Sequence, residues 1–342
     1  EAGSWKVTGY KEKVSITIKK TKKIKKAVQA AALAAVLAAS SPSALADAAS
    51  VEKQGSREGI NVTEINGVKC RPKTRMKTYL FMGVDNKGDV TAVESEEDSS
   101  GQCDVLQLLV IDQNANTYAI VPINRNTITA VKSLEDDGTY IATSDVQIAL
   151  AHANGDGLEI SCENTVDAVS NLFYGVQIDG YMALNMDAIA TINHLAGGVT
   201  VTIEDDFSES DPSLQMGDTV TLTDEQAVHY VHDRMNVGDG TNECRMRRQD
   251  AYMAGLQEIF MQKASENDSF VMDAYSALGE YMVTDLSKKD CSKIAKAILK
   301  NESLGKFTID GTTSLDYLGF DEFYPYQDSL ADVVLQLFYE KL

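Results

Sequence analysis

Basic residues are scarce in this chain of 342 residues: 31 Lys and Arg stand against 51 Asp and Glu, a formal charge of −20. Nine of the Lys fall in residues 1–50 beside three acids, a local net of +6. The other 292 residues carry 22 basic and 48 acidic side chains, a net of −26. Affinity for a nucleic-acid backbone rests on Lys and Arg meeting phosphate, so a body this acidic excludes nucleic acid as a general partner. Any anionic ligand must be held by a few local cations. Cysteine is sparse too. Cys70, Cys103, Cys162, Cys244 and Cys291 are odd in number and form no C-x-x-C pair, which argues against a zinc knuckle or a dense disulfide framework. No run beyond residue 50 is long and apolar enough to cross a bilayer, and no internal repeat occurs. The composition that remains, 44% hydrophobic and 24% charged, is that of a folded globular chain, long enough for one large domain or two modest ones.

The basic residues of the first fifty are ordered. Lys19–Lys26 reads KKTKKIKK, Ala27–Ala39 is apolar except for Gln29, and Ser40-Ser-Pro-Ser43 and Ala44-Leu-Ala46 follow. A basic stretch, a short apolar stretch and a small-x-small site form the layout of a secretory signal. The apolar stretch is shorter than the ~20 residues of a transmembrane helix. Residues 1–50 are therefore expected to be an export or membrane-targeting segment, and residues 51–76 a polar linker with an entry strand.

The body alternates strand and helix patterns. Thr78–Val84 is a short apolar run ending at Asp85, and Val105–Ile111 and Thr117–Ile123 are two further strands around the turn-like Gln113–Asn116. Asn86–Gly101 is an acidic loop. If the second and third strands form a hairpin, Asp104 and Arg125 land at one sheet edge, and Asp85 joins them if the first strand is antiparallel to the second. Helices are expected over about 145–154, 162–173 and 185–195, with Gly197-Gly198 as a stop and Val199–Ile203 as a strand. Thr223-Asp-Glu-Gln226 has the form of a capping box opening a helix to about Met235. A long helix is expected from Asn242 or Glu243 to about Ala264, with Met246, Met253, Leu256 and Phe260 on its packed stripe. Residues 265–342 read as two helices, a short strand near Phe307 and a last helix from about Ser329.

Arg234, Arg245, Arg247 and Arg248 gather late in the acidic body, and Arg245 and Arg248 share a helix face at i, i+3 near a helix N-terminus. Forked guanidinium hydrogen bonds suit phosphate oxygens. The alternative is surface pairing with acids such as Asp239 and Asp250. His152, His194 and His229 have no metal-ligand spacing, and the acidic 204–211 lacks the Gly and Glu of a calcium loop. Cys103 and Cys244 each adjoin a candidate site residue, which leaves a bridge between them as the alternative to packing thiols.

The sequence resembles the LytR–CpsA–Psr cell-wall glycopolymer phosphotransferases in seven ordered blocks. These are Leu80-Phe-Met-Gly-Val-Asp85, Gly101-Gln-Cys-Asp104, Ile123-Asn-Arg-Asn-Thr127 and Gln147-Ile-Ala-Leu-Ala-His-Ala-Asn-Gly155, then Asn185-Met-Asp187 through Leu195-Ala-Gly-Gly-Val199. Gln226-Ala-Val-His-Tyr-Val-His-Asp-Arg234 and Arg245-Met-Arg-Arg-Gln249 complete the set. The resemblance implies a three-layer α/β/α sandwich with a central mixed sheet over residues 77–262. Residues 263–342 are then a small, mainly helical C-terminal extension of clostridial type. It implies an exported enzyme at the outer face of the cytoplasmic membrane or in the wall, moving a glycan-phosphate from a polyprenyl pyrophosphate carrier to peptidoglycan with Mg²⁺ (or Mn²⁺). By the same resemblance Asp85 and Asp104 are metal positions, and Arg125, Arg234 and Asp104 are catalytic. Arg125, Arg234, Arg245, Arg248 and Gln249 surround the pyrophosphate, and an apolar groove for the lipid runs between sheet and helices. The family has Arg where this chain has Gln102 and His232, Lys at Gln147, Asp at Asn126 and often Arg at Lys87. These departures point to a partly altered site. They keep open a non-catalytic lipid-linked glycan- or wall-binding protein, or a polyprenyl pyrophosphate phosphatase.

Overall fold

The computed structural model describes residues 63–65, 67–88, 90, 101–240, 242–267 and 269–342. The expected export segment, residues 1–50, and most of the acidic loop lie outside the described residues. An antiparallel pair, β1 (Thr63–Ile65) and β2 (Val68–Pro72), stands where the linker was expected. β3 (Met76–Val84), β4 (Cys103–Asp112) and β5 (Thr117–Ile123) then form an antiparallel meander. Leu106, Leu108, Leu109, Val110 and Ile111 of β4 are all buried, which is why this strand reads as a continuous apolar run: a sheet covered on both faces needs no polar side.

A second hairpin, β6 (Ile128–Leu134) and β7 (Tyr140–Gln147), leaves the sheet. The helix expected over about 145–154 is not formed; the end of β7 and one 3₁₀ turn, Ile148–Ala151, occupy that stretch. Ile141, Thr143 and Val146 are β-branched, and the pairing of Ile128 with Gln147 commits the segment to the ladder. α1 (Glu159–Leu172) follows, then β8 (Gly180–Leu184), parallel to β3. α2 (Ala188–Ala196) starts later than expected because Asn185 Oδ1 accepts from the Asp187 and Ala188 N–H groups in a turn. It ends at Gly197, left-handed at φ 82°.

β9 (Thr200–Thr202) and β10 (Thr219–Thr221) make a small ribbon. α3 (Asp224–His232) opens on the expected capping box, Thr223 Oγ1 accepting from Gln226 N while Gln226 Oε1 accepts from Thr223 N. It stops at His232 because Asp233 is extended. α4 (Asn242–Glu266) is the expected long helix, with Tyr252, Leu256, Phe260 and Met261 buried; the Met246 side chain lies outside the described residues. After it come α5 (Phe270–Ala277), β11 (Met282–Thr284), α6 (Lys288–Lys300) and β12 (Glu302–Lys306). The hairpin β13 (Gly311–Leu315) and β14 (Asp321–Pro325), α7 (Gln327–Phe338) and β15 (Tyr339–Lys341) complete the chain.

The central sheet runs β11-β8-β3-β4-β5-β12 and is mixed. Successive side chains of a strand face opposite layers. Phe81 therefore packs with Ile192, Tyr230, Leu256 and Ile294 of α2, α3, α4 and α6, whereas Leu80 and Met82 pack with α1 and α7. The result is a three-layer α/β/α sandwich. Residues 263–342 supply three of the helices and both edge strands of the sheet, and β15 pairs with β2.

Candidate active site

Three loops meet at the end of the sheet where β3 finishes and β4 begins. Gly83 pairs with Val105 but Val84 pairs with Cys103, so Asp104 is one residue in excess, a β-bulge. A bulge re-aims the extra side chain, and here it turns Asp104 to the sheet end beside Asp85. Gly101, at φ 74°, brings the incoming chain against Val84 and Asn86; a Cβ there would stand 2.7 Å from Val84 Cγ1. That approach lets Asp85 N donate to Gln102 O (3.0 Å) while Asp85 Oδ1 accepts from Gln102 N (2.5 Å).

Arg125, just past β5, reaches across the hairpin. It donates through Nη1 to Asp104 Oδ1 and through Nη2 to Gln102 Oε1 (2.7 Å). The expected convergence of Asp85, Asp104 and Arg125 is therefore present. Burial raises the Asp104 carboxyl above its ordinary range; Arg125 and Arg245 pull it down and Asp85 pushes it up. Arg245 is lowered, first by burial, then by the like charges of Arg234 and Arg125, with Asp104 opposing. Two acids and three Arg thus share one electrostatic neighbourhood.

Beside them opens a cavity of about 350 Å³. Its polar lining is Asp85, Asp104, Asn185, His232, Arg245 and Gln249, and its apolar lining comes from Leu184, Ile189, Ile192, Val231, Met253 and Leu256, among others. The polar groups sit at the sheet end; the apolar ones come from β8, α2, α3 and α4. The LytR_cpsA_psr family model matches residues 37–337. The chain belongs to this family.

The polyisoprenyl-teichoic acid–peptidoglycan teichoic acid transferase TagU of Halalkalibacterium halodurans is 26% identical over 198 residues, 58% of this chain and 60% of that protein. TagU of Bacillus cereus is 26% identical over 250 residues, 71% of this chain and 73% of that protein. This chain therefore spans about 60% of the length of the first relative. The crystal structure of B. subtilis TagV shares the fold, with a TM-score of 0.54 at 21% identity over 78% of this chain and 96% of that one.

Not every residue matched to the family's site positions reaches the cavity. Arg248 turns into the core, 2% exposed: its Nη2 donates to Asp233 O, its Nη1 lies 3.7 Å from Asp205 Oδ2, and its guanidinium sits over the Phe207 ring. Arg247 is outside, paired with Glu204 and Asp205. Asn126 faces Gln147 (3.4 Å between Nε2 and Oδ1) rather than Arg125. Lys87 is exposed in the loop after β3, and Arg234 is exposed past α3. None of the five cysteines is in a disulfide, so the Cys103–Cys244 bridge is not formed; Cys103 is fully buried on β4 and burial pushes its thiol up.

Two residues escaped sequence reading. Asp233 accepts from Ser210 Oγ and contacts His229 Nδ1 (2.9 Å) and His232 Nδ1 (3.5 Å). Burial would raise it, but these hydrogen bonds outweigh burial and hold it below the ordinary range. Asn185 donates through Nδ2 to Gly88 O (2.6 Å) and ties the cavity wall to the β3 loop. Among the described residues, no three His, Cys, Asp or Glu side chains group as a metal site. Mg²⁺ needs no such group: it is held by one or two carboxylates together with substrate phosphates. The hard oxygens of Asp85 and Asp104 fit that role.

Proposed function

We propose that this chain transfers a glycan-phosphate from a polyprenyl pyrophosphate carrier to peptidoglycan, outside the cytoplasmic membrane. The cavity carries this reading. A charged mouth adjoining an apolar interior suits a ligand with a pyrophosphate head and an isoprenoid tail, and the names of the TagU relatives describe transfer of that kind. The acceptor hydroxyl oxygen attacks the phosphorus that bears the glycan. The bond from that phosphorus to the bridging oxygen breaks, and polyprenyl monophosphate departs with the hydroxyl proton. Phosphoryl transfer is helped mainly by positioning and by charge neutralisation, which Arg245 in the cavity wall supplies, with the neighbouring charges of Arg125 and Arg234 adding to it. Gln249 and His232 line the same mouth. Asp85 and Asp104 would hold Mg²⁺ or Mn²⁺, which when bound offsets charge on the phosphate oxygens.

The test is incubation with a polyprenyl pyrophosphate-linked glycan, Mg²⁺ and peptidoglycan. The expected result is polyprenyl monophosphate formed in step with glycan attached to the acceptor. Release without any acceptor would make the protein a phosphatase. Lipid binding without a phosphate-containing product, at any divalent metal, would defeat both enzymatic readings.

A further inference from the structure

The β13–β14 hairpin ends in Leu315-Asp-Tyr-Leu-Gly-Phe320, and its apolar side chains face solvent: Leu315 is 67% exposed, Tyr317 93%, Leu318 64% and Phe320 62%. Scattered apolar residues on a surface need no explanation, but a contiguous group of four large ones does. The turn is rigid. Asp316 N donates to Phe320 O (2.9 Å), Gly319 N to Asp316 O (3.1 Å), and Asp316 Oδ1 accepts from both Leu318 N and Phe320 N (2.8 Å each). Gly319 supplies the left-handed φ of 88° that closes it. The apolar side chains are therefore held outward by a tied backbone.

Its position is equally defined. Phe323, buried, bridges in parallel to Thr127 and donates to Asn126 O (2.8 Å), and Gln147 Nε2 donates to Asp321 O (2.6 Å). The hairpin is thus held against the turn Asn124–Thr127 that carries Arg125 at the end of β5. Residues 311–325 contain Asp316, Asp321 and Glu322 and no Lys or Arg. An anionic wall polymer would be repelled by that charge. Leu, Phe and Tyr side chains on a tied turn suit the apolar and interfacial zone of a bilayer, where attraction needs no cation.

We infer that the β13–β14 tip inserts into the lipid surface beside the site and sets the cavity mouth against the membrane that holds the polyprenyl substrate. The inference rests on the transferase reading of that site. The test places the probe at the tip in the full chain: Phe320→Trp in a Trp5→Phe background, since Trp5 is the chain's one native Trp. Vesicles of phosphatidylcholine with brominated acyl chains serve as quencher, and Tyr140→Trp, at the far end of the β6–β7 hairpin, is the control. Blue-shifted emission and strong quenching at 320, with little at 140, are expected. Tyr317→Ser/Leu318→Ser/Phe320→Ser should lower vesicle partitioning by about tenfold or more, with an unchanged thermal midpoint. Absence of quenching at 320, or equal quenching at 140, overturns the inference, as does lost sedimentation of the triple variant with isolated wall in place of lost vesicle binding. Quenching at 320 without any phosphate transfer leaves the insertion standing and removes the transferase reading; transfer without quenching does the reverse.

Discussion

Asp104 stands one residue out of register, and the bulge that puts it there also half-buries it between Arg125, Arg245 and Asp85. An acid held above its ordinary value is neutralised earlier on acidification. Divalent-cation affinity should therefore begin to fall at a pH above the ordinary carboxylate range, and calorimetric titration with Mg²⁺ from neutral to acid pH checks this. The stability linkage has opposite signs at two carboxyls. At Asp104 the folded state disfavours the charged form, so its cost to stability is relieved as pH falls through the raised value. At Asp233 the folded value is depressed, so its contribution is present above the unfolded value and lost as pH falls through the folded one. Arg125→Ala removes a guanidinium that bonds both Asp104 and Gln102. Transfer should drop by roughly 10²-fold or more, and the Asp104 carboxyl should titrate higher still, as read by carbon-detected NMR.

At the scale of the element, α4 divides two Arg that the sequence puts on one face. Positions i and i+3 differ by about 60° around a helix, and here that angle separates a cavity wall from the core. Arg245 lines the cavity, whereas Arg248 is buried against Asp205 and Phe207. Removing Arg248 withdraws the donor to Asp233 O and empties the place over the Phe207 ring, at a cost of about 1–3 kcal/mol for the unpaired group alone, while Asp205 keeps Arg247. Arg248→Ala should therefore shift the urea midpoint strongly downward, while Arg245→Ala should weaken pyrophosphate binding with a much smaller shift. The β3–β4 entry makes a second case. At Gly101 a methyl group meets Val84 at 2.7 Å and the φ of 74° disfavours any side chain. Gly101→Ala should cost about 1–3 kcal/mol in denaturant unfolding and weaken ligand binding, because Asp85 and Gln102 depend on that approach.

For the whole molecule, the last helix is part of the core. Leu330, Val333, Val334, Leu335, Leu337 and Phe338 of α7 are buried. At about 1.5–3 kcal/mol for each large apolar side chain, their loss would exceed most of the ~5–15 kcal/mol that holds a domain folded. A chain ending at Pro325 should give no cooperative thermal transition and should be cut by protease along its length. Charge acts at the same scale. On the proposed reading, the body's net of −26 repels a pyrophosphate at long range, and attraction would come from Arg side chains and a bound cation within the screening distance of about 8–10 Å.

The order of apolar runs, turn residues and caps marked the strands β3–β5 and the helices α1 to α4, because each of these signals is local: Thr223 and Gln226 cap within four residues, and the runs of β3 and β4 mark a sheet covered on both sides. The family was legible in the seven motif blocks. The pairing of Asp104 with Arg125 was legible as well, since a tight hairpin fixes which ends meet. Other features depended on partners far along the chain. β11 is three residues long and exists because β8 offers a free edge; the short strand expected near Phe307 is β12, but its parallel place beside β5 was set by that edge. The stretch at 145–147 became strand because β6 was there to pair with it. Whether an Arg on α4 faces ligand or core was set by where Asp205 and Phe207 lie, on a loop some forty residues earlier. Sequence carries the chemistry a site can draw on; only tertiary packing decides which of those side chains share a cavity, because burial and non-local pairing are properties of the assembled layers.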